Sequence, residues 1–355
     1  MAEARDGPPR PYTNYVPEFI SSKVGTWKRH VVHPDGIIEH ETVKGEKVYS
    51  IRFSSTSNAR YHSDTIRKLA HISESHGAVL RFTNASNMEF VADSLEKVNK
   101  IKEEMRLLGF ISGGWGKRLW NITSCAGFFH CPLAGTDSPS ISKSIGDSLL
   151  PYFQKESLPA KLAIAVSGCP ACCSGGFTAD ISVVGLHTEI PVVTEELKAC
   201  DLMGTLLSCP TGAIQFSALP DGKKTLVIRD PLCIGCGICV GVCRGLVFRT
   251  PEKTDGHAII VGGKASSTQN GTAIGRVVVP YLSNDPPRYD LTVRIINRII
   301  DTWRKDARDG ERIGTWIGRI GWARFFQRTG LPYCKENMDS FDMRALTTLK
   351  EGGRN

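Results

Sequence analysis

Cysteine spacing constrains this chain more than any other feature. Cys233, Cys236, Cys239 and Cys243 stand in C-x2-C-x2-C-x3-C spacing, and a distant Cys209 is followed by Pro210. Three thiolates two residues apart can wrap one face of an iron–sulfur cubane, while the fourth ligand comes from a remote cysteine, commonly one beside a proline. Cys209, in S-C-P-T-G-A-I, fills that place. A structural zinc site also uses C-x2-C pairs, but the unbroken C-x2-C-x2-C fits a zinc ribbon poorly. The pattern therefore predicts a ferredoxin-type [4Fe–4S] cluster on Cys209, Cys233, Cys236 and Cys239. Gly235 and Gly237 are predicted to turn backbone amides toward the sulfurs. Cys243 is surplus to that set and is expected to be buried or free.

A second group lies upstream. Cys125 and Cys131 are spaced C-x5-C, and Cys169 and Cys173 are spaced C-x3-C within a turn rich in small residues (Gly168, Pro170, Gly175, Gly176). Such a turn lets the backbone approach a large inorganic body. Soft thiolates favour iron–sulfur chemistry, although spacing alone leaves a structural zinc or a nest of buried thiols open. Twelve cysteines also invite a disulfide reading. The first residues lack the apolar segment of a secretory signal, and no stretch reaches the roughly 18 apolar residues of a membrane helix. A cytoplasmic protein that is not membrane-integral is expected, where clustered cysteines bind metal more often than they pair. Lys and Arg exceed Asp and Glu, 44 against 36, for a net charge of +8. No dense basic run with interleaved aromatics appears, so no nucleic-acid partner is predicted. The excess suits an anionic substrate or cofactor.

The rest of the chain reads as α+β. Residues 1–20, with four prolines, form an extended arm. Lys47 to Phe53 alternates as a half-buried strand, with Tyr49, Ile51 and Phe53 on one face. Ser63 is expected to cap a helix burying Ile66, Leu69 and Ala70 and ending at Gly77. Ala78 to Phe82 returns as a strand. Asp93 with Glu96 reads as a capping box for a helix carrying Leu95, Val98, Ile101, Met105 and Leu108. Ser138 is expected to cap a helix turning Ile141, Ile145, Leu149 and Phe153 inward. Lys161 to Val166 and Ile181 to Leu186 read as strands, and a short helix falls between Thr194 and Gly204. Strands are predicted at Ala258 to Val261 and Arg276 to Leu282, and an amphipathic helix at Leu291 to Trp303. No element is assigned from there to the polar, extended C-terminus.

Seven segments then carry a resemblance: N-I-T-S-C-A-G-F-F-H-C, S-G-C-P-A-C-C, D-I-S-V-V-G-L-H, S-C-P-T-G-A-I, I-V-G-G-K, V-V-V-P-Y-L-S-N-D-P-P-R and R-I-G-W-A-R-F-F-Q-R-T-G-L. Together they resemble the sirohaem sulfite and nitrite reductases, and among them the β subunits of dissimilatory sulfite reductase, from about Val24 to Arg344. The resemblance implies a sirohaem whose iron is joined through Cys173 to a [4Fe–4S] cluster on Cys125, Cys131, Cys169 and Cys173. It also implies that the second cysteine group is an inserted ferredoxin domain. The implied layout is an arm at 1–20, an α+β half domain at 21–112, a sirohaem and cluster domain at 113–204 with 256–330, the insert at 205–255 and a tail at 331–355. Several positions depart from the family. Cys125 stands where β subunits usually lack a cysteine, and Cys172 replaces an extra cysteine beside Cys169, making it the substitute ligand. Ala85 stands where a second arginine is usual, and Pro132 where histidine is usual. Beyond that substitution, no role is assigned to Cys172, and none to Cys200, Cys243 or Cys334.

Reducing sulfite to sulfide moves six electrons, which no side chain supplies, so a haem-type iron fed by a cluster is required. Sulfite and the carboxylates of sirohaem are anionic and need cations near them. The candidates are Arg52, Arg81, His130, Lys161 and Lys264. The resemblance implies a homologous α subunit in an α2β2 assembly and a small sulfur-carrier protein with a C-terminal cysteine. Three alternatives stay open: a nitrite reductase of the same family, an assimilatory sulfite reductase, or a non-catalytic iron–sulfur electron-transfer subunit.

Overall fold

A computed structural model of the chain describes residues 16–33, 36–155, 157–248, 255–265 and 271–333. It forms two compact units, Met1–Asn121 with Pro151–Ser157, and Ile122–Leu150 with Leu158–Asn355. Most of the N-terminal arm and most of the C-terminal tail, with Cys334, lie outside the described residues. Within the arm's expected bounds begins a single helical turn, α1 (Glu18–Ser21).

The first unit is built on an antiparallel sheet of β1 (Trp27–Val32), β2 (Ile37–Thr42), β3 (Lys47–Phe53), β4 (Val79–Phe82) and β5 (Met88–Ala92), in the order β1-β2-β3-β5-β4. Helices α2 (Ser63–Ser75) and α3 (Leu95–Leu107) cover one face. There Ile51, Phe53, Met88 and Phe90 pack with Leu69, Ile72, Val98, Ile101 and Met105. The caps fall one residue away from the expected positions. His62, not Ser63, accepts the Asp64 amide of α2, and Ser94, not Asp93, accepts the Lys97 amide of α3. In α2, Leu69 and Ile72 are buried while Ile66 and Ala70 stay exposed. Leu69 is thus shared with the expected stripe, and Ile72 takes the place of Ile66 and Ala70. β3 is buried on both faces rather than one, because Ser50 and Arg52 lie under a polar layer with Glu89 and His40.

The second unit is organised by a mixed sheet. Its strands are β6 (Leu119–Ser124), β7 (Leu162–Ser167), β8 (Ile181–Leu186), β13 (Gly256–Val261) and β14 (Arg276–Ser283), in the order β14-β13-β8-β7-β6. β7 and β8 are parallel, whereas β13 is antiparallel to both β8 and β14. The longest helix before β7, α4 (Ser138–Gln154), buries Ile141, Ile145 and Leu149 completely, at about 1.5–3 kcal/mol per side chain. Its cap is Asp137, whose carboxylate accepts the Ser140 amide, leaving Ser138 for another contact described below.

A small module interrupts this unit. It contains β9 (Val192–Val193), α5 (Leu202–Leu207), the hairpin β10 (Ile214–Ala218) and β11 (Lys224–Ile228), α6 (Ile238–Val242) and β12 (Leu246–Val247). β9 pairs with β12 and closes the module's base. Leu197 packs with Ile214, Leu226 and Leu246 in its core, so residues 194–204, expected to belong to the larger domain, belong to the insert. After β14 come α7 (Asp290–Asp306), α8 (Ile313–Ile320) and α9 (Trp322–Thr329). The last two were not anticipated. They are short and joined at Gly321, and Trp303, Trp316 and Phe325 are fully buried among them.

Candidate metal centres

The first cysteine set is assembled at one end of the mixed sheet. β6 ends at Ser124 and delivers Cys125, whose amide donates to Val166 O of β7 at 3.1 Å. β7 ends at Ser167 and delivers Cys169, the Cys131 loop being tied to it by Gly135 N–H to Gly168 O at 2.7 Å. The Gly168 amide donates to Cys125 Sγ at 3.0 Å, and Ser138 Oγ lies 3.3 Å from the same sulfur. Cys169 feels the other three: burial first, then the charges of Cys131, Cys125 and Cys173, push its thiol up to about 11. Four thiolates so placed repel one another and resist ionising until a cationic core neutralises them.

Cys172 and Cys173 part company here. Cys172 has a positive φ of 51° and turns into an apolar cluster with Val184, Ile260 and Val277. Burial drives its thiol up to about 12. Cys173 is exposed. The preceding turn Gly127–Phe129 leaves Phe128 and Phe129 exposed, 56% and 65%, beside exposed His130.

The second set lies wholly within the insert. Cys209, Cys233, Cys236 and Cys239 line one pocket with Pro210 and Ile234. Burial raises the Cys239 thiol to about 12, with Cys236, Cys233 and Cys209 adding to it. For Cys209 burial also works upward, but hydrogen bonds from Thr211 and from the amides of Thr211, Ile214 and Ala213 outweigh it and hold the thiol below its usual range. Amides of Ile238 and Val240 reach Cys236 and Cys239, whereas Gly235 and Gly237 act as close-contact positions against His187. Cys243 is buried as expected but is not free: it is bonded to Cys200. Among the described residues, no three Cys, His, Asp or Glu side chains stand close enough to hold one metal ion. An all-thiol donor set suits an iron–sulfide core by its softness.

The candidate cations scatter. In the first unit, Arg52 is buried, lies 3.9 Å over the Trp115 ring and donates to Glu89 Oε1 at 2.8 Å, while Arg81 takes Glu89 Oε2. One carboxylate thus neutralises half of that pair. Arg118 was missed. It is 3% exposed, its Nη1 donates to Trp115 O at 3.3 Å, and its Nε has no partner among the described residues. Its position in a glycine-rich linker just before a buried strand was the available signal. In the second unit, Lys161 begins β7 at the end away from Cys169, beside Arg312 and Asp180. It is not brought to the cysteines. Lys264 is buried, its backbone bridging Ala273.

Comparisons with known proteins bear on the family and the fold. Residues 115–336 match the nitrite and sulphite reductase 4Fe-4S domain, and residues 40–108 match the nitrite/sulfite reductase ferredoxin-like half domain. The β subunit of dissimilatory-type sulfite reductase from Archaeoglobus fulgidus is 33% identical over 97% of this chain and 97% of its own length. The α subunit from Allochromatium vinosum is 24% identical over 87% of this chain and 78% of its own. The crystal structure of dissimilatory sulfite reductase I superposes with a TM-score of 0.81 at 18% identity, covering 92% of this chain and 84% of that one, which supports the fold. No helix among the described residues is long and apolar enough to cross a membrane. The chain belongs to the nitrite and sulfite reductase family, alongside the β subunits of the dissimilatory-type sulfite reductases.

Proposed function

We propose that this chain is the β subunit of a dissimilatory-type sulfite reductase that interconverts sulfite and sulfide, in either direction, using a sirohaem and two [4Fe–4S] clusters. Cys125, Cys131, Cys169 and Cys173 hold the first cluster, with Cys173 as the bridge to the sirohaem iron. Cys209, Cys233, Cys236 and Cys239 hold the second, which relays electrons. When bound, the sirohaem supplies a metal that takes the sulfur of the anion and passes electrons to it.

The chain's own residues do the rest. Gly168 N–H and Ser138 Oγ steady the Cys125 sulfur. Backbone amides and Thr211 hold the Cys209 thiol below its usual range, which eases its loss of a proton to iron. Arg81, 56% exposed, Arg118 and His130 supply cationic or donor groups for anions. The observation that carries this reading is the opposed fate of two neighbours: Cys172 points into apolar core and Cys173 is open. A homologous α subunit completes the α2β2 assembly, and its counterpart's likeness to this chain supports such pairing. A small sulfur-carrier protein and a cytoplasmic setting, in keeping with nine free thiols among the described residues, belong to the same proposal.

The optical spectrum of the anaerobically purified protein tests the reading. Isobacteriochlorin bands together with cluster absorption are expected, and Cys173→Ser should uncouple haem and cluster signals. Unchanged coupling in that variant refutes the bridge assignment. A second reading, an electron-transfer subunit without turnover, is favoured by the loss of cations at Ala85 and Pro132 and by the neutralisation of Arg52. Cluster absorption without sirohaem bands would select it.

A further inference from the structure

Two thiol sets in one unit pose the question of what joins them. The segment after Cys131 answers on one side. Leu133 leans on α6, so that a Cβ added at Gly241 would meet Leu133 Cδ2 at 2.8 Å, two residues beyond Cys239. On the other side stands His187, the first residue after β8. Its amide donates to Gly235 O at 3.4 Å. Its carbonyl oxygen lies where a Cβ at Gly235 would come within 2.1 Å, so backbone meets backbone between Cys233 and Cys236. Its ring Nε2 donates to Leu133 O at 3.1 Å, and that nitrogen lies 3.3 Å from where a Cβ of Gly237 would stand. One residue therefore touches the loop after Cys131 and both short loops between the insert's thiols.

The ring is held against rotation. His187 and Asp255 are 4% and 3% exposed, and Nδ1 meets Asp255 Oδ2 at 2.7 Å. Phe248 stacks on the imidazole with centroids 4.0 Å apart and planes 16° from parallel. Leu133 O only accepts, so Nε2 carries a hydrogen, and a further proton lies in the Nδ1–Asp255 contact. Whichever partner owns that proton, the pair sums to zero charge, so the junction is buried without a net charge to desolvate. A histidine serving only the core needs none of these backbone contacts to two cysteine loops.

We propose that His187 is the positioning residue that fixes the electron path between the two cysteine sets. It clamps the Cys131 loop on the Cys233–Cys239 loop, with Asp255 and Phe248 locking its ring. Tunnelling falls steeply with separation, so loosening this clamp slows transfer between the sets without removing a ligand from either. The inference rests on the two-cluster reading above and adds to it the residue that sets their spacing.

The experiment uses the anaerobic holoprotein assembled with its α subunit. Iron and acid-labile sulfide are measured, magnetic interaction between the two reduced clusters is read by electron paramagnetic resonance, and sirohaem reduction by a low-potential dye is followed by rapid mixing. His187→Ala is expected to keep both clusters, to weaken their magnetic interaction and to slow sirohaem reduction by about tenfold to a hundredfold, as small misplacements do elsewhere. His187→Gln, which retains a donor toward Leu133 O, should recover much of the rate. Normal coupling and rate in a fully loaded His187→Ala overturn the proposal. Should that variant fail to retain iron, Asp255→Asn, which loosens the ring but leaves it in place, is expected to slow transfer by a smaller factor, and an unchanged rate there overturns the proposal equally. Wild-type protein with no cluster in the insert would overturn this inference and the two-cluster reading together. Two wild-type clusters with indifferent variants overturn this inference alone.

Discussion

The two cysteine sets use opposite building methods. The first hangs on the ends of β6 and β7, inside a sheet whose strands and helix α4 are buried to the last methyl at Ile141, Ile145, Ile164 and Val166. The second is made almost entirely of loop, in a module whose core is a handful of side chains around Leu226 and Leu246. Rigid strand ends place ligands by packing. A loop module must place them by local hydrogen bonds, by a disulfide and by leaning on a neighbour. The difference teaches where each set should fail.

The largest effects come from the ligands themselves. Cys169→Ser should abolish the first cluster, the sirohaem bands and all turnover. Cys236→Ser should spare the sirohaem bands while stopping electrons that enter through the insert. Optical spectra of both variants, with dye-driven turnover, separate these outcomes. Loss of the sirohaem bands in Cys236→Ser would mean that the sets are not independent, and the contrast drawn above would collapse.

Next is the Cys200–Cys243 bond, which spans 43 residues and encloses all four thiols of the second set. Loop entropy alone assigns a bridge of that span about 4 kcal/mol. Cys243→Ser should therefore speed iron loss from the insert under mild denaturant and leave the first cluster in place. Equal losses from both sets would show that the insert does not unfold by itself. A disulfide is unusual in a reducing compartment, so mass spectrometry after thiol alkylation is the direct check of its presence.

Much of this contrast was legible in the sequence, and the parts that were not have identifiable reasons. Cysteine spacing is local, so both sets could be listed before any fold was known. Apolar periodicity found α3, α4 and α7, because Val98, Ile145 and Ile299 each recur at helical intervals. Caps slipped by one residue at His62 and Ser94, since neighbouring polar residues compete for the same amide. The helices α8 and α9 were missed because each is only eight residues long, below the length at which periodicity speaks. Cys243 was judged by its motif alone, and its partner Cys200 is brought near only by the fold of the insert. His187 and Asp255 lie far apart in sequence, with nothing local linking them. The cation candidates were the weakest part, because a charge in a sequence does not reveal whether a carboxylate such as Glu89 already holds it.

Acid tests the sheet rather than the insert. His257, in β13, is pushed down to about 4 by burial, with Asn284 Oδ1 opposing. Its Nε2 lies 2.7 Å from Thr292 Oγ1, and Tyr289 sits against its ring. The unfolded chain takes up a proton near pH 6.5 that the folded one refuses until about pH 4, so stability is full above that window and falls as pH drops through it. The limiting loss is about 3 kcal/mol. A His257→Gln variant should lose its share of that slope, measured as the denaturant midpoint between those two pH values, while His40, also pushed down to about 4 by burial, keeps its own. A slope equal to the wild type's would mean that His257 binds its proton equally well in the folded and unfolded chains.

The smallest effect probes the seam between helix and cluster. Asp137 caps α4 by accepting the Ser140 amide at 3.3 Å, and the next residue, Ser138, reaches Cys125 through its hydroxyl. Asp137→Ala should cost about 1 kcal/mol, the usual worth of an N-cap. The rest of α4 stays anchored by Ile145 and Leu149, so only the first turn frays. That fraying frees Ser138 from the Cys125 sulfur, and a hydrogen bond lost from a cluster sulfur lowers the cluster's potential. The first cluster's midpoint should therefore fall slightly while the insert's stays fixed. A shift in the insert's potential of equal size would show that the two sets share one electrostatic environment, and that strand ends and loops are not separate supports after all.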